Sequence, residues 1–171
     1  WLSDDAGRLY ARAMIEKANV SVDNKDYKKG IEIILDVQNE IKGKHYYDLI
    51  ATSDLLLARI SSLENEDHAQ FIILLKSAVE NFRLAGLKYK QAEALNTLGA
   101  AYRTVNNDSA LIYLNKSKAL SEELHDERML VKIQTNIVGL YYLNHQYEQS
   151  ITEGKKMLAT SKHDDSDIKE L

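Results

Sequence analysis

Ala94-Leu95-Asn96-Thr97-Leu98-Gly99-Ala100-Ala101-Tyr102 is the stretch on which the fold turns. Ala92, Leu95, Leu98, Ala101, Tyr102 and Val105 keep three- and four-residue spacing, which gathers them on one face of a helix. Forty residues on, Leu98-Gly99-Ala100-Ala101-Tyr102 returns as Val138-Gly139-Leu140-Tyr141-Tyr142. The same shift carries Ala110-Leu111 onto Ser150-Ile151. Going backward it carries Lys116-Ser117 onto Lys76-Ser77, and Leu98 through Ala58 to Ala18. Independent pairs agree on one offset, so the chain is read as four copies of a 40-residue unit, fainter in the first two.

Each copy reads as two helices. The third breaks at Asn106-Asn107-Asp108-Ser109, residues that cap and turn, then resumes an apolar stripe at Ala110, Leu111, Leu114, Ser117, Leu120 and Leu124. The fourth is expected over about 127–144 and 147–160, the second over 46–63 and 67–85, the first over 4–22 and 27–41. Gly43 and Gly86 serve as C-terminal stops. Repeat bounds are then 4–43, 45–85, 87–125 and 127–162 within one domain of residues 1–171, and 164–171 looks like the start of a ninth helix. The composition agrees. With no Pro and seven Gly in 171 residues, the chain avoids helix breakers, whereas average usage would supply about eight or nine Pro. No segment alternates with period two between turn residues, so strands are not expected. The expected class is all-α.

Leu98, Gly99, Tyr102 and Ala110, echoed by Val138, Gly139, Tyr142 and Ser150, resemble the packing positions of a tetratricopeptide repeat. There a small Gly admits the second helix, an aromatic fills the gap between hairpins, and a small residue sits at the crossing. The period of 40 exceeds the usual ~34, the terminal Pro is missing, and Asn19 and Arg59 replace Gly in the first two copies. Lengthened repeats of this kind resemble those of bacterial sensor and regulator proteins and of kinesin light chain, and the Asn-, Lys- and Tyr-rich style is closer to the bacterial group. The resemblance implies a right-handed superhelix of about four antiparallel helix hairpins, an α-solenoid. Its first helices would line a concave groove for a protein or peptide partner.

In that groove Asn96 and Asn136 stand one repeat apart, and an amide that donates and accepts suits the backbone of an extended peptide. Arg103 is placed to meet a partner's carboxylate, with Glu93, Thr97, Tyr141 and Asn144 sharing the surface, and Glu16, Lys17 and Asp23 further along. Chaperone-tail clamps of this family combine recurring Lys, Asn and Arg, a set this chain lacks. Tyr46, Tyr47, Tyr102, Tyr141, Tyr142 and Tyr147 are expected between repeats.

Nothing points to catalysis. Zero Cys removes thiol chemistry, the seven Gly are scattered singly, and no Gly-x-Ser-x-Gly elbow occurs. His45, His68, His125, His145 and His163 have no paired spacing, so neither metal nor cofactor is expected. Asp4-Asp5 and Asp164-Asp165 fit helix starts, where carboxylates complement the dipole. A net charge of −4 and short, interleaved Lys clusters disfavour direct nucleic-acid contact. The longest apolar run, Phe71-Ile72-Ile73-Leu74-Leu75, is far below the ~20 residues of a membrane span. The chain opens at Trp1 and its first Met is Met14, so it is expected to be a segment of a larger protein. The expected role is non-catalytic protein or peptide binding, in sensing or scaffolding. The alternatives are a regulatory array controlling an attached kinase or DNA-binding domain, and an enzyme-like helical domain. Compartment and oligomeric state stay open.

Overall fold

A computed structural model describes residues 4–64 and 68–167, with side chains as far as Leu158. The described residues are all-helical, in eight α-helices with no strand. These are α1 (Asp4–Asp23), α2 (Tyr27–Glu40), α3 (Tyr47–Leu63), α4 (His68–Leu84), α5 (Lys88–Tyr102), α6 (Asn107–Glu123), α7 (Glu127–Leu143) and α8 (Tyr147–Asp167). The chain divides into two compact units, Trp1–Ala94 and Leu95–Leu171, with the boundary inside α5.

Three boundaries differ from the sequence reading. Helix α5 begins at Lys88 and ends at Tyr102, so Val105 lies beyond it and is exposed. Helix α6 already contains Asn107-Asp108-Ser109, because Asn106 alone is the N-cap: its side chain accepts from the Ser109 backbone N–H at 2.8 Å. The ninth helix expected at Asp164 is not separate. No Gly or Pro follows Gly154 to break the backbone, and α8 runs on through Asp167; residues 168–171 lie outside the described ones. Leu124, read as the end of an apolar stripe, is the C-cap of α6 and is exposed.

Four helix ends share one closure. After α1, α4, α6 and α7 the backbone N–H groups of Asp26, Leu87, Asp126 and Gln146 reach back to the carbonyls of Ser21, Phe82, Ser121 and Tyr141, five residues earlier. Lys25, Gly86, His125 and His145 make the inner bond of each motif. This double closure needs a left-handed residue, and Gly86 supplies one at φ +70°. Lys25, His125 and His145 adopt φ +64°, +53° and +59° without that freedom. Two of the four turns pass straight into the next helix through an Asp N-cap: Asp26 accepts from the Lys29 N–H and Asp126 from the Met129 N–H.

In the first unit α1 packs on α2 and α3, and α3 on α2 and α4. Ala11, Ile15, Ala18, Val22, Ile34, Val37, Leu49, Leu56 and Ile60 form one core; Phe82 forms a second among Ala51, Ala78 and Ala94. In the second unit α7 packs on α6 and α8, around Ala110, Leu114, Met129, Ile133, Ile137 and Leu140. Gly99 lets α6 approach. A Cβ there would stand 2.7 Å from Leu114 Cγ and 3.1 Å from the Leu114 backbone nitrogen. Ala110 is fully buried, and Ser150, also buried, donates to the Val138 carbonyl at 3.1 Å. Tyr102 stacks on Tyr113 with centroids 5.4 Å apart. Tyr142 and Tyr147, expected between repeats, are instead 63% and 51% exposed and meet each other edge-on. Tyr142 follows Leu140, which faces the core, by two residues, and so turns away from it.

The first unit also buries a carboxyl. Asp54 is 6% exposed and accepts from Ser77 Oγ at 2.6 Å and Gln38 Nε2 at 3.0 Å, tying α3 to α4 and α2. Burial pushes its pKa up, and the two hydrogen bonds oppose that only in part. The folded state therefore holds this proton more tightly than the unfolded chain. The resulting stability is fully present below the ordinary carboxylate range and is lost as pH rises through the raised folded value. Asn keeps an acceptor for Gln38 and a donor for Ser77. Asp54→Asn is thus expected to gain stability relative to the parent as pH rises from acid to neutral, read by urea unfolding at several pH values. A constant difference across that range would refute it.

Candidate functional site

The 40-residue offset reappears as physical adjacency. On α1 and α3, Arg8 donates to Asp48 at 2.8 Å and Arg59 to Asn19 at 3.0 Å, both pairs 40 apart. Within the second unit Asn136 Nδ2 on α7 donates to Asn96 Oδ1 on α5 at 2.8 Å, again 40 apart. A second lateral relation, 36 apart, joins Arg59 to Asp23 at 2.6 Å and Arg12 to Asp48 at 3.4 Å. In the second unit the same relation brings Arg103 over Gly139, whose Cβ, if present, would lie 2.9 Å from Arg103 Nη1.

Among the expected site residues, Asn96 on α5, Asn136 on α7 and Arg103 in the turn after α5 are brought together. Asn96 lies within α5, and Arg103 follows its last residue, Tyr102, in the turn. All three are half-buried. The Asn pair uses one donor and one acceptor between its members, leaving the Asn96 NH2 and the Asn136 carbonyl oxygen to spend elsewhere. Asn144 accepts from Asn107 and donates to the Leu140 carbonyl at 2.8 Å. Thr97 is exposed. Glu93 accepts from Lys90 at 3.1 Å and belongs to the other unit, as do Glu16, Lys17 and Asp23, the last of them paired with Arg59.

Tyr141 does not share the Asn136 face. Five residues at 100° each carry it to the far side of α7. There Tyr141 lines a cavity of about 480 Å³ with Leu111, Val131, Gln134, Ile137 and Met157 between α6, α7 and α8. The periodicity alone contained this separation. The cavity itself depends on how α6 and α8 diverge, which no local pattern announces. Its rim carries Glu153, held by Gln134 Nε2 at 2.6 Å and Lys156 at 2.7 Å; the Lys156 hydrogen bond holds its pKa below the usual carboxylate value. In the first unit, Tyr46 donates to the Asp4 carbonyl at 2.8 Å and to its carboxylate. That bond pushes the phenol up to about 12 and leaves it no role as a base near neutral pH.

Among the described residues no group of three or more His, Asp or Glu is disposed to hold a metal ion. No helix among them is long and apolar enough to cross a membrane. Comparison with protein-family models and with curated proteins gave no match.

Proposed function

We propose that the chain is a tetratricopeptide-like helical array, wound as a right-handed superhelix, that binds a protein or peptide segment without chemistry of its own. It would serve as the sensing or scaffolding part of a larger bacterial signalling or regulatory protein. The observation that carries the reading is the Asn96–Asn136 bridge, half-buried, with one amide donor and one carbonyl acceptor unspent. An extended peptide presents the complementary pair at every residue, a C=O and an N–H.

The test replaces Asn96 and Asn136 together by Ala and titrates a peptide selected on the parent chain. Loss of two neutral hydrogen bonds at about 1 kcal/mol each weakens binding by about tenfold or more, with the circular-dichroism melt nearly unchanged. Equal affinity in parent and variant would remove the Asn pair from the binding face.

A further inference from the structure

Arg59 completes its lateral slot in the first unit: its guanidinium meets the Asp23 carboxylate from the neighbouring helix at 2.6 Å. The slot with the same 36-residue spacing in the second unit is half filled. Arg103 reaches forward to α7 where Arg59 reaches back to α1. By the 40-residue offset Arg103 stands in the place of Asp23 and Gly139 in the place of Arg59, so the guanidinium finds no side chain opposite it. The Arg103 Nε is buried and makes no hydrogen bond, and no described carboxylate pairs with the group. Arg8, Arg12, Arg59 and Arg83 each meet an acid. Arg128 lacks one too, but it is exposed, and water serves it. A half-buried guanidinium has lost part of that water and gains most from a bidentate anion.

From this half-empty slot we infer that Arg103 is the receptor for a carboxylate of the bound segment, an Asp or Glu side chain of an extended acidic peptide. The inference rests on the peptide-binding reading above and adds the chemistry of the partner. Gly139, which underlies the guanidinium, lies three residues from Asn136 on α7, about one turn along that helix, so the amides that would take the peptide backbone and the Arg103 that would take its acid fall close together. Gly139 lets the guanidinium lie against α7, since a Cβ there would stand 2.9 Å from Nη1.

The experiment uses the 171-residue chain, immobilised, and a displayed library of random heptapeptides. The parent is expected to enrich peptides with Asp or Glu at a fixed position. Arg103→Gln loses that enrichment, and a selected acidic peptide binds it at least about tenfold more weakly, while its Gln/Asn analogue binds parent and variant alike. Arg103→Lys keeps the charge but not the fork, and gives an intermediate loss. Gly139→Asp places a carboxylate where the slot lacks one, pairs with Arg103 internally, and abolishes the acid preference without touching Arg103. It decides the question even where Arg103→Gln does not fold. Peptides selected without an acid, or an acid preference that survives both Arg103→Gln and Gly139→Asp, would overturn the inference and leave peptide binding standing. No enrichment of any peptide would overturn both.

Discussion

Truncating Phe82 to Ala is expected to destabilise the first unit by about 3–5 kcal/mol. The ring is 2% exposed, and its core neighbours Ala51, Ala78 and Ala94 are already as small as a core residue can be. A cavity closes when long neighbours swing into it, and three methyl groups cannot. The hole therefore persists, and the cost falls toward the upper end, because the transfer loss and the cavity loss add. Urea unfolding checks this directly: the midpoint drops with the slope unchanged. A loss below about 1 kcal/mol would mean that Leu55 and Val79, which border the ring, had collapsed into the space.

Gly99→Leu is expected to cost at least about 1–3 kcal/mol in the second unit, for the opposite reason. There the site has too little room. Even the first carbon of a side chain would meet Leu114 Cγ at 2.7 Å and, more stubbornly, the Leu114 backbone nitrogen at 3.1 Å. A leucine tip can rotate aside; a helix backbone moves only with its whole helix, so α6 must retreat from α5. Gly154 on α8 is the control, since a Cβ there meets nothing within 4 Å. Gly154→Ala should gain up to about 1 kcal/mol from helix propensity alone. Thermal melts of the two variants are thus expected to move in opposite directions. Gly99→Leu melting like the parent would break the argument that this glycine is there for close approach.

The contrast between these glycines marks what the sequence made legible. Gly99 was readable because its neighbours repeat: a small residue inside a periodic apolar stripe, recurring at Gly139, implies contact on that side. The helix stops at Gly43 and Gly86 were readable because glycine announces a left-handed backbone, and both have positive φ. The equivalent stops at Lys25, His125 and His145 were not, because nothing in a Lys or His says that the backbone tolerates φ near +60° there. Those residues are held by the two closing hydrogen bonds of the turn, a property of the backbone. Asp54 was missed for a related cause. A single Asp inside Ser53-Asp54-Leu55-Leu56 looks like a solvent-facing position until α2 and α4 bring Gln38 and Ser77 to it. The Asn pair was legible as a matched spacing, and its direct bond was not, since spacing alone does not give the distance between helices. Tyr141 was misplaced by treating one helix as if it had a single functional face.

The Asn96–Asn136 bond bears on how such a chain lengthens. An amide carries a donor and an acceptor together, so it is complementary to a copy of itself. If a segment holding one Asn is duplicated and the copies stack in register, the contact is satisfied at once, with no second mutation. Arg8 and Asp48, one repeat apart, enjoy no such ease: copied alone, an Arg meets an Arg, and the partner acid has to arise afterwards. Homotypic amide ladders are therefore the contacts that tandem duplication inherits at once, and charged pairs record later divergence between copies.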